Sequence, residues 1–155
     1  MATLVKPVSL GGERGNALVE FALVLPLLLL VFAGIVDFGF LFQRYEVITN
    51  AAREGARLAV LPGYSNTDVE NRVRAYVREG LNEDVAAATG VVVDSVPVVP
   101  DPANPSVGFN GARVTVTFTN DYLLLGVIVN LVTGGNFAPS IELRAVSTMR
   151  PEVGS

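Results

Sequence analysis

The sequence RGNALVEF, residues 14–21, stands directly before a long apolar run and determines how the rest of the chain is organised. It places a single carboxylate, Glu20, at the start of a hydrophobic segment and five positions after Gly15. A charged side chain in lipid costs about 2.5 kcal/mol or more near the centre of a helix and less near its end. A simple membrane anchor has no need of such a residue. A helix that leaves the bilayer to pack against copies of itself does, because a buried carboxylate needs a partner. The pattern therefore predicts an assembling helix.

The apolar run extends from Phe21 to Phe42 and is interrupted by Pro26 and Asp37. At 1.5 Å per residue it covers roughly 33 Å, which is enough to cross a hydrocarbon core with some tilt. Lys6 and Arg14 precede it, and this charge favours an N-terminus held in the cytoplasm. The run is therefore predicted to span a membrane once.

Two other interpretations of the run are open. A secretory signal peptide would have its apolar region at 21–32 and would be cleaved after Ala33. That interpretation leaves Glu20 unexplained, and the apolar run continues beyond the cleavage point. The other is a plain single-pass anchor, since a glutamate near a helix end can reach the membrane interface.

Composition limits the chemistry that the chain can perform. It has 155 residues, of which 50% are hydrophobic, with a mean hydropathy of +0.47 and a formal net charge of −4. This length allows the apolar helix and one small domain. The chain has no cysteine, which excludes disulfides and thiolate chemistry, and no histidine, which removes the commonest general base and metal ligand. The acidic balance offers no electrostatic footprint for nucleic acid.

No sequence motif points to catalysis or to a cofactor. Residues 63–65, Gly-Tyr-Ser, lack the second glycine of a nucleophile elbow, and no glycine-rich phosphate loop is present. Asp94, Asp101 and Asp121 do not have the spacing of a calcium-binding loop. We therefore predict no catalytic residue, no metal site and no cofactor, and a protein that is not an enzyme.

The chain divides into three predicted parts. Residues 1–15 form a short polar leader, residues 16–61 form an apolar helix that continues as an amphipathic stem, and residues 62–155 form a small head. Pro62 and Gly63 end the stem, because proline cannot continue a helix and the pair favours a turn. Pro26 lies inside the helix and is expected to kink or loosen one turn.

The head carries the periodicity of one helix followed by strands. Residues 65–68, Ser-Asn-Thr-Asp, are candidate N-cap residues for a helix whose apolar positions recur every three or four residues. Two β-rich runs follow at 91–93 and 96–99, and Pro97 favours an edge strand or a strand end. Residues 100–105 form a stiff, proline-rich loop. The predicted fold class is α+β, with a long N-terminal helix, a second helix and a small antiparallel sheet.

The second half of the head continues the sheet. Residues 112–119 alternate as a half-buried antiparallel strand, with Val114, Val116 and Phe118 on one face, and residues 141–149 form the last strand. Between them, residues 123–132 are continuously apolar but too short to span a membrane. This block is either a buried helix or a hydrophobic excursion between strands.

Small residues recur along the stem. Ala51, Gly55 and Ala59 are spaced four apart, and Ala52 and Ala56 form a parallel row. Small residues at this spacing let two helix backbones approach closely, as between packed stems. The alternative is that alanine merely favours helix and that the row faces the head of the same chain. Both interpretations are open, and each can hold at a different height along the stem.

Charged residues mark two further positions on the helix. Arg53, Glu54 and Arg57 form a cluster in which Glu54 can pair with Arg57 at i,i+3. Such a cluster is usually a solvated face, although it can also dock to a neighbouring subunit. Asp37 lies near the far end of the apolar run; the simplest interpretation places it at the outer membrane interface, and the alternative makes it a polar contact between packed stems.

Four sequence blocks together resemble the TadE-like family of pilus assembly proteins, the minor pseudopilins of the tight-adherence (Flp) pilus system. The blocks are GNALVEF at 15–21, Pro26, DFG at 37–39 and AAREGAR at 51–57. The resemblance is specific over residues 15–60. Beyond Pro62 it rests on the order of helix and strands and on the ending MRPE at 149–152.

The resemblance implies how the protein is processed and assembled. A prepilin peptidase would cut after Gly15, so that the mature chain begins at Asn16, and Glu20 and Phe21 would take part in assembly. The major pilins of that system tend to have tyrosine where this chain has Phe21, and they have little beyond the helix. An inner-membrane platform driven by an ATPase would extract the subunit from lipid and add it to other pilin subunits, either copies of itself or the major Flp pilin.

The sequence thus predicts a structural minor pilin, held in the bacterial inner membrane with its N-terminus in the cytoplasm and then incorporated into an extracellular pilus. One alternative is a membrane-anchored envelope module whose head binds a ligand through the proline-rich loop. Another is a secreted soluble enzyme, which the lack of histidine and cysteine disfavours. The N-terminal residue of the mature protein separates the three: Asn16, Met1 or Gly34.

Overall fold

The computed structural model describes residues 13–98 and 109–151, and confirms the α+β architecture with a long N-terminal apolar helix. Residues 1–12 of the predicted leader and the predicted loop at 100–105 lie outside the described residues. The elements in chain order are α1 (Glu13–Ala59), α2 (Asn66–Gly80), α3 (Glu83–Ala88), β1 (Gly90–Val98), β2 (Phe109–Asp121), α4 (Leu124–Thr133) and β3 (Ser140–Met149).

Helix α1 has 47 residues, which corresponds to a length of about 70 Å. It begins inside the predicted leader, at Glu13, and continues as helix on both sides of Pro26. It ends at Ala59, two residues before the predicted end, and the chain then turns through Gly63, whose φ of 91° lies in the left-handed region that favours glycine. The proline–glycine pair therefore acts as the predicted stop.

Helix α2 starts at a capping box and lies close against α1. The Ser65 side chain accepts from the Asp68 backbone N–H, and the Asp68 carboxylate accepts from the Ser65 backbone N–H at 2.8 Å. Val69, Val73 and Val77 are buried, as their spacing predicts. The helix ends at Gly80, the predicted weak point.

The sheet has three strands in the order β1-β2-β3, and both pairs are antiparallel. The predicted β-rich run at 91–93 and residues 96–98 of the second run form one strand, β1, while residue 99 lies outside the described residues. Strand β1 lies at the edge of the sheet, as Pro97 indicated. The short helix α3 was not predicted, because six residues of sequence EDVAAA carry no periodic signal.

One face of the sheet packs against α1 and α2 and forms the core. The core consists of apolar residues from α1, α2, α3, β2 and β3: Ile48, Ala51, Ala52, Ala56, Val69, Val73, Val77, Val85, Ala86, Val114, Val116, Phe118, Leu143 and Ala145. The other face of the sheet leaves Val92 and Val146 exposed. The sheet is therefore half-buried, as the alternation in β2 predicted.

The chain leaves the sheet after β2 and returns to it at β3. We call residues 122–139 the excursion; they lie between Asp121 and Ser140, which are paired across the two strands. The Tyr122 backbone N–H donates to the Pro139 carbonyl at 3.1 Å and closes the base. The apolar block is thus both a helix, α4, and an excursion between strands, and its outer side is exposed rather than buried.

Candidate functional site

The lower half of α1, residues 18–42, is covered with large apolar side chains, most of which are exposed. Phe38, which contacts the Tyr122 ring edge to face, and Leu41, which packs against the core, meet the head. Leu23 is 77% exposed and Leu28 is 53% exposed, so the apolar surface runs around the helix. By length and composition, the helix could cross a membrane. In its most apolar stretch of 18 residues, 6% of the residues are buried. Two residues of the lower half are buried, Ala33 and Asp37.

The predicted processing and pairing residues lie at the beginning of this surface. Gly15, Asn16, Glu20 and Phe21 are all exposed on α1. A Cβ at Gly15 would have no heavy atom within 4 Å in its surroundings. Among residues 13–98 and 109–151, Glu20 has neither a hydrogen-bond nor an ion-pair partner. Its carboxylate is thus available to a group outside the chain.

The upper half of α1, residues 48–59, differs because small residues face the head of the same chain. Ala51 and Gly55 are buried, and Ala59 packs at the edge of the core. A Cβ at Gly55 would lie 2.5 Å from Val73 Cγ2 and 3.2 Å from Val114 Cγ1. The small residues therefore let α2 and β2 approach α1, in agreement with the alternative in which the row faces the head of the same chain. Pro26 lies in the lower half of α1, away from this contact.

The charged cluster of the stem lies at the solvent-exposed junction of α1 and α2. Glu54 accepts from Arg72 of α2 at 3.2 Å, and Arg57 lies 3.9 Å from the same carboxylate, as the i,i+3 spacing predicts. Arg53 is exposed beside them. Exposed ion pairs of this kind contribute about 0–1 kcal/mol each, so the cluster adds little to the stability of the fold.

Asp37 occupies a position that neither sequence interpretation anticipated. It is 3% exposed, and its carboxylate accepts hydrogen bonds from consecutive backbone N–H groups at the start of α4. The Leu123 N–H donates to Oδ1 at 3.2 Å, the Leu124 N–H lies 3.1 Å from Oδ1 and 3.0 Å from Oδ2, and the Leu125 N–H donates to Oδ2 at 2.7 Å. Asp37 therefore caps a helix of its own chain, and its carboxylate is engaged there rather than free to contact another stem.

This cap is needed because α4 has no other one. The N-cap residue, Leu123, makes no side-chain capping bond, so the first N–H groups of α4 have no local acceptor. A carboxylate at this place also lies at the positive end of the helix dipole. The sequence contains two unusual features that relate to this contact: an aspartate inside an apolar run and an apolar helical segment without a polar cap residue. No local pattern connects them, since they are 86 to 88 positions apart.

About two turns above Asp37, a second polar contact ties α1 to β2. The Arg44 guanidinium donates to the side-chain carbonyl of Asn120, which is buried, and stacks over the Phe118 ring at 5.8 Å from its centroid. Between these groups and Asp37 lies an open cavity of about 400 Å³. The cavity is also lined by Phe40, Thr119, Asp121, Tyr122 and Leu123.

The two charged groups of α1 at the cavity are engaged with other parts of the chain. Asp37 and Arg44 already have partners within the chain. Residues 13–98 and 109–151 contain no cluster of acidic side chains that could hold a metal ion. The two contacts therefore tie α1 to β2 through Arg44 and to α4 through Asp37.

A protein-family model matches the part of the sequence that contains the lower half of α1 and most of the small-residue row of the stem. The family model described as TadE-like protein matches residues 15–57. The resemblance stated from the sequence is thereby confirmed over this segment, and it supports a TadE-like pilus assembly protein, a family of structural and assembly components that is not known for enzymes. No curated protein and no solved structure gives a significant match.

Proposed function

We propose that this protein is a minor pilin or pseudopilin of a tight-adherence (Flp) pilus. The observation that carries the proposal is the lower half of α1, an exposed apolar surface with the carboxylate of Glu20 at its beginning. The match to the TadE-like family over the same residues supports it.

The exposed surface has to be covered. Moving a large apolar side chain from water into an apolar environment gains about 1.5–3 kcal/mol, and the lower half of α1 presents more than a dozen such side chains. Before assembly, the lipid of the inner membrane covers them, with the N-terminus in the cytoplasm and the head outside. After assembly, the helices of neighbouring subunits take the place of lipid.

Glu20 favours the second state. In lipid its charge is unfavourable, and the chain offers it no described partner. Cleavage by prepilin peptidase after Gly15 would free an α-amino group on Asn16, four residues before the carboxylate. In a filament, the carboxylate of one subunit can pair with the α-amino group of an adjacent one, and dry surroundings strengthen that pair. Phe21 would pack beside it.

Other parts of the chain have supporting roles in this proposal. The head is rigidly joined to α1 through the small residues of the upper half, so it is carried outward with the helix when the ATP-driven platform extracts the subunit. The major pilins of such systems have little beyond the helix. A head of this size therefore favours a minor subunit, which adds to other pilins of the same filament.

The pairing role of Glu20 is tested by substitution in cells that make the pilus. We expect Glu20→Gln, which removes the charge and keeps the size, to be inserted and cleaved normally but lost from sheared pilus fractions. Glu46→Gln is the matched control, because Glu46 is also exposed on α1 but lies beyond the apolar run. Equal recovery of the Glu20→Gln and Glu46→Gln subunits in pili would refute the pairing role.

A further inference from the structure

The outer side of the excursion carries an apolar stripe. Leu123, Val127 and Leu131 recur every fourth residue along α4 and are 67%, 63% and 79% exposed. Residues 122–139 contain no aspartate, glutamate, lysine or arginine. A surface segment of a water-soluble head would carry such charges, whereas a segment in contact with lipid would not.

The position of Asp37 sets the depth of this stripe. Asp37 lies 16 residues after Phe21, where the apolar run begins, and therefore about 24 Å along the helix. A hydrocarbon core is about 30 Å thick, so a bilayer that begins at Phe21 extends some 6 Å beyond Asp37. Because Asp37 caps α4, the first turn of α4 lies at the same depth.

From there α4 continues deeper. Going along β2 and into α4, the contacts on α1 move steadily toward its N-terminus: Val114 lies next to Gly55, Asn120 binds Arg44, and Leu125 binds Asp37. Ala33, one turn nearer the N-terminus and on the same face as Asp37, is fully buried, whereas the adjacent Phe32 is exposed. Since α4 is the element packed on α1 in this region, we infer that it also covers Ala33.

Two polar side chains of the excursion, Asn130 and Thr133, are satisfied within it, as lipid requires. The side chain of Asn130 receives the Phe137 N–H and donates to the Phe137 carbonyl at 3.1 Å, bridging α4 and the returning segment. The Thr133 hydroxyl donates to the Val129 carbonyl at 2.8 Å. Gly126 is small enough to let the returning backbone pass, with a Cβ position only 3.3 Å from the Phe137 carbonyl oxygen.

We propose that the excursion is a second membrane-contacting element, inserted beside α1 into the extracytoplasmic half of the bilayer, with Leu123, Val127 and Leu131 against lipid acyl chains. The proposal rests on the proposed membrane residence of α1. Asp37 then has a defined purpose: by capping α4 it keeps a carboxylate satisfied at a depth where it would otherwise be costly.

The chain lacks cysteine, so single thiols can be introduced without removing others. The full chain carrying Leu131→Cys is reconstituted at a low protein-to-lipid ratio. Two matched variants report the extremes: Leu28→Cys on the apolar helix and Val92→Cys on the open sheet face, whose native side chains are 53% and 54% exposed. Each thiol is reacted with a membrane-impermeant maleimide. In a separate experiment, each thiol is labelled with a fluorophore, and its emission is measured in lipids whose brominated acyl chains quench fluorescence on contact.

We expect Leu131→Cys to behave like Leu28→Cys. An apolar medium raises the pKa of a thiol and excludes the reagent, so its maleimide reaction should be at least ~10-fold slower than that of Val92→Cys. Its fluorophore should be quenched by the brominated lipids. Reaction as fast as at Val92→Cys, with Leu28→Cys still protected, would overturn the insertion of the excursion and leave the membrane residence of α1 intact.

Two further outcomes also contradict the proposal. Protection of Leu131→Cys without quenching by brominated lipid would mean that a protein surface covers the stripe, such as a second copy of the chain. Rapid reaction at Leu28→Cys would show that α1 itself is not in the bilayer, and both the proposed membrane residence and the insertion of the excursion would then be wrong.

Discussion

The two halves of α1 belong to one continuous helix but are built for different surroundings. In the upper half, alanine and glycine face the core, and the neighbouring elements approach to van der Waals contact. In the lower half, most leucine, valine and phenylalanine side chains are exposed, and a Cβ at Gly34 or Gly39 would meet nothing within 4 Å. Along α1, small side chains thus occur where the helix packs on the head, and large apolar ones occur where it is exposed, the surface that we propose lipid or other subunits cover.

Glycine substitutions in the two halves test this contrast with the largest expected effect. Gly55→Leu places atoms where Val73 already lies 2.5 Å from the Cβ position, so we expect it to lower the free energy of unfolding by about 1–3 kcal/mol or more. Gly39→Leu meets nothing within 4 Å, and leucine is the better helix former, so it should be neutral or stabilise by up to ~1 kcal/mol. Thermal unfolding of the full chain in detergent, followed by circular dichroism, measures both.

The sign of the difference between these two variants is decisive. Equal stability for Gly55→Leu and Gly39→Leu would mean that the upper half does not pack on its own head in solution. The small-residue row would then be free for contacts between stems.

Asp37, near the boundary of the two halves, should show a smaller and more local effect. Asp37→Leu leaves three backbone N–H groups of α4 without their acceptor, and an unsatisfied buried donor costs about 1–3 kcal/mol. We expect faster hydrogen–deuterium exchange over residues 122–139, with protection of β1 and β2 unchanged. Asp37→Asn, which keeps one acceptor oxygen, should fall between this variant and the parent chain.

Unchanged exchange in the excursion of Asp37→Leu would contradict the capping role. Loss of protection throughout the head would show that Asp37 supports the whole fold rather than α4 alone. The intermediate variant distinguishes loss of the acceptor from a change in side-chain shape.

Asp68 provides the exposed counterpart of Asp37 and the smallest expected effect. Hydrogen bonds from the Ser65 hydroxyl and backbone N–H lower the pKa of the Asp68 carboxyl below its ordinary value. A group whose pKa is lowered on folding contributes stability above its unfolded pKa and loses that contribution as the pH falls through its folded pKa. We therefore expect Asp68→Ala to be less stable than the parent chain at neutral pH and the difference to shrink below about pH 4.

Titration of thermal stability for the two chains checks this expectation. A difference that stays constant from neutral pH to below pH 3 would show that the capping box acts without the charge. Because Asp68 is open to solvent, its effect should remain smaller than that of Asp37→Leu under the same conditions.

The sequence was sufficient for most elements and insufficient for their contacts. Local sequence patterns predicted α1 from the apolar run, the start of α2 from the cap residue Ser65, and β2 from its alternation of apolar and polar residues. These three elements are present in the structure. The direction in which Gly55 faces could not be predicted, since small residues serve both a packed head and a packed stem. The Asp37 cap could not be predicted either, because it depends on β2 bringing α4 back to α1 across more than 80 positions.

The most direct test of the proposed pilin role is the intact mass of the native protein isolated from membranes and pili. We expect a mature chain that begins at Asn16, and an uncleaved chain when Gly15→Leu replaces the residue before the cut. Gly39→Leu, a glycine substitution further along the same open helix surface, should still be cleaved. A native mass that corresponds to a start at Met1 would indicate a plain membrane anchor, and a start at Gly34 a secreted protein; either mass would contradict processing as a pilin.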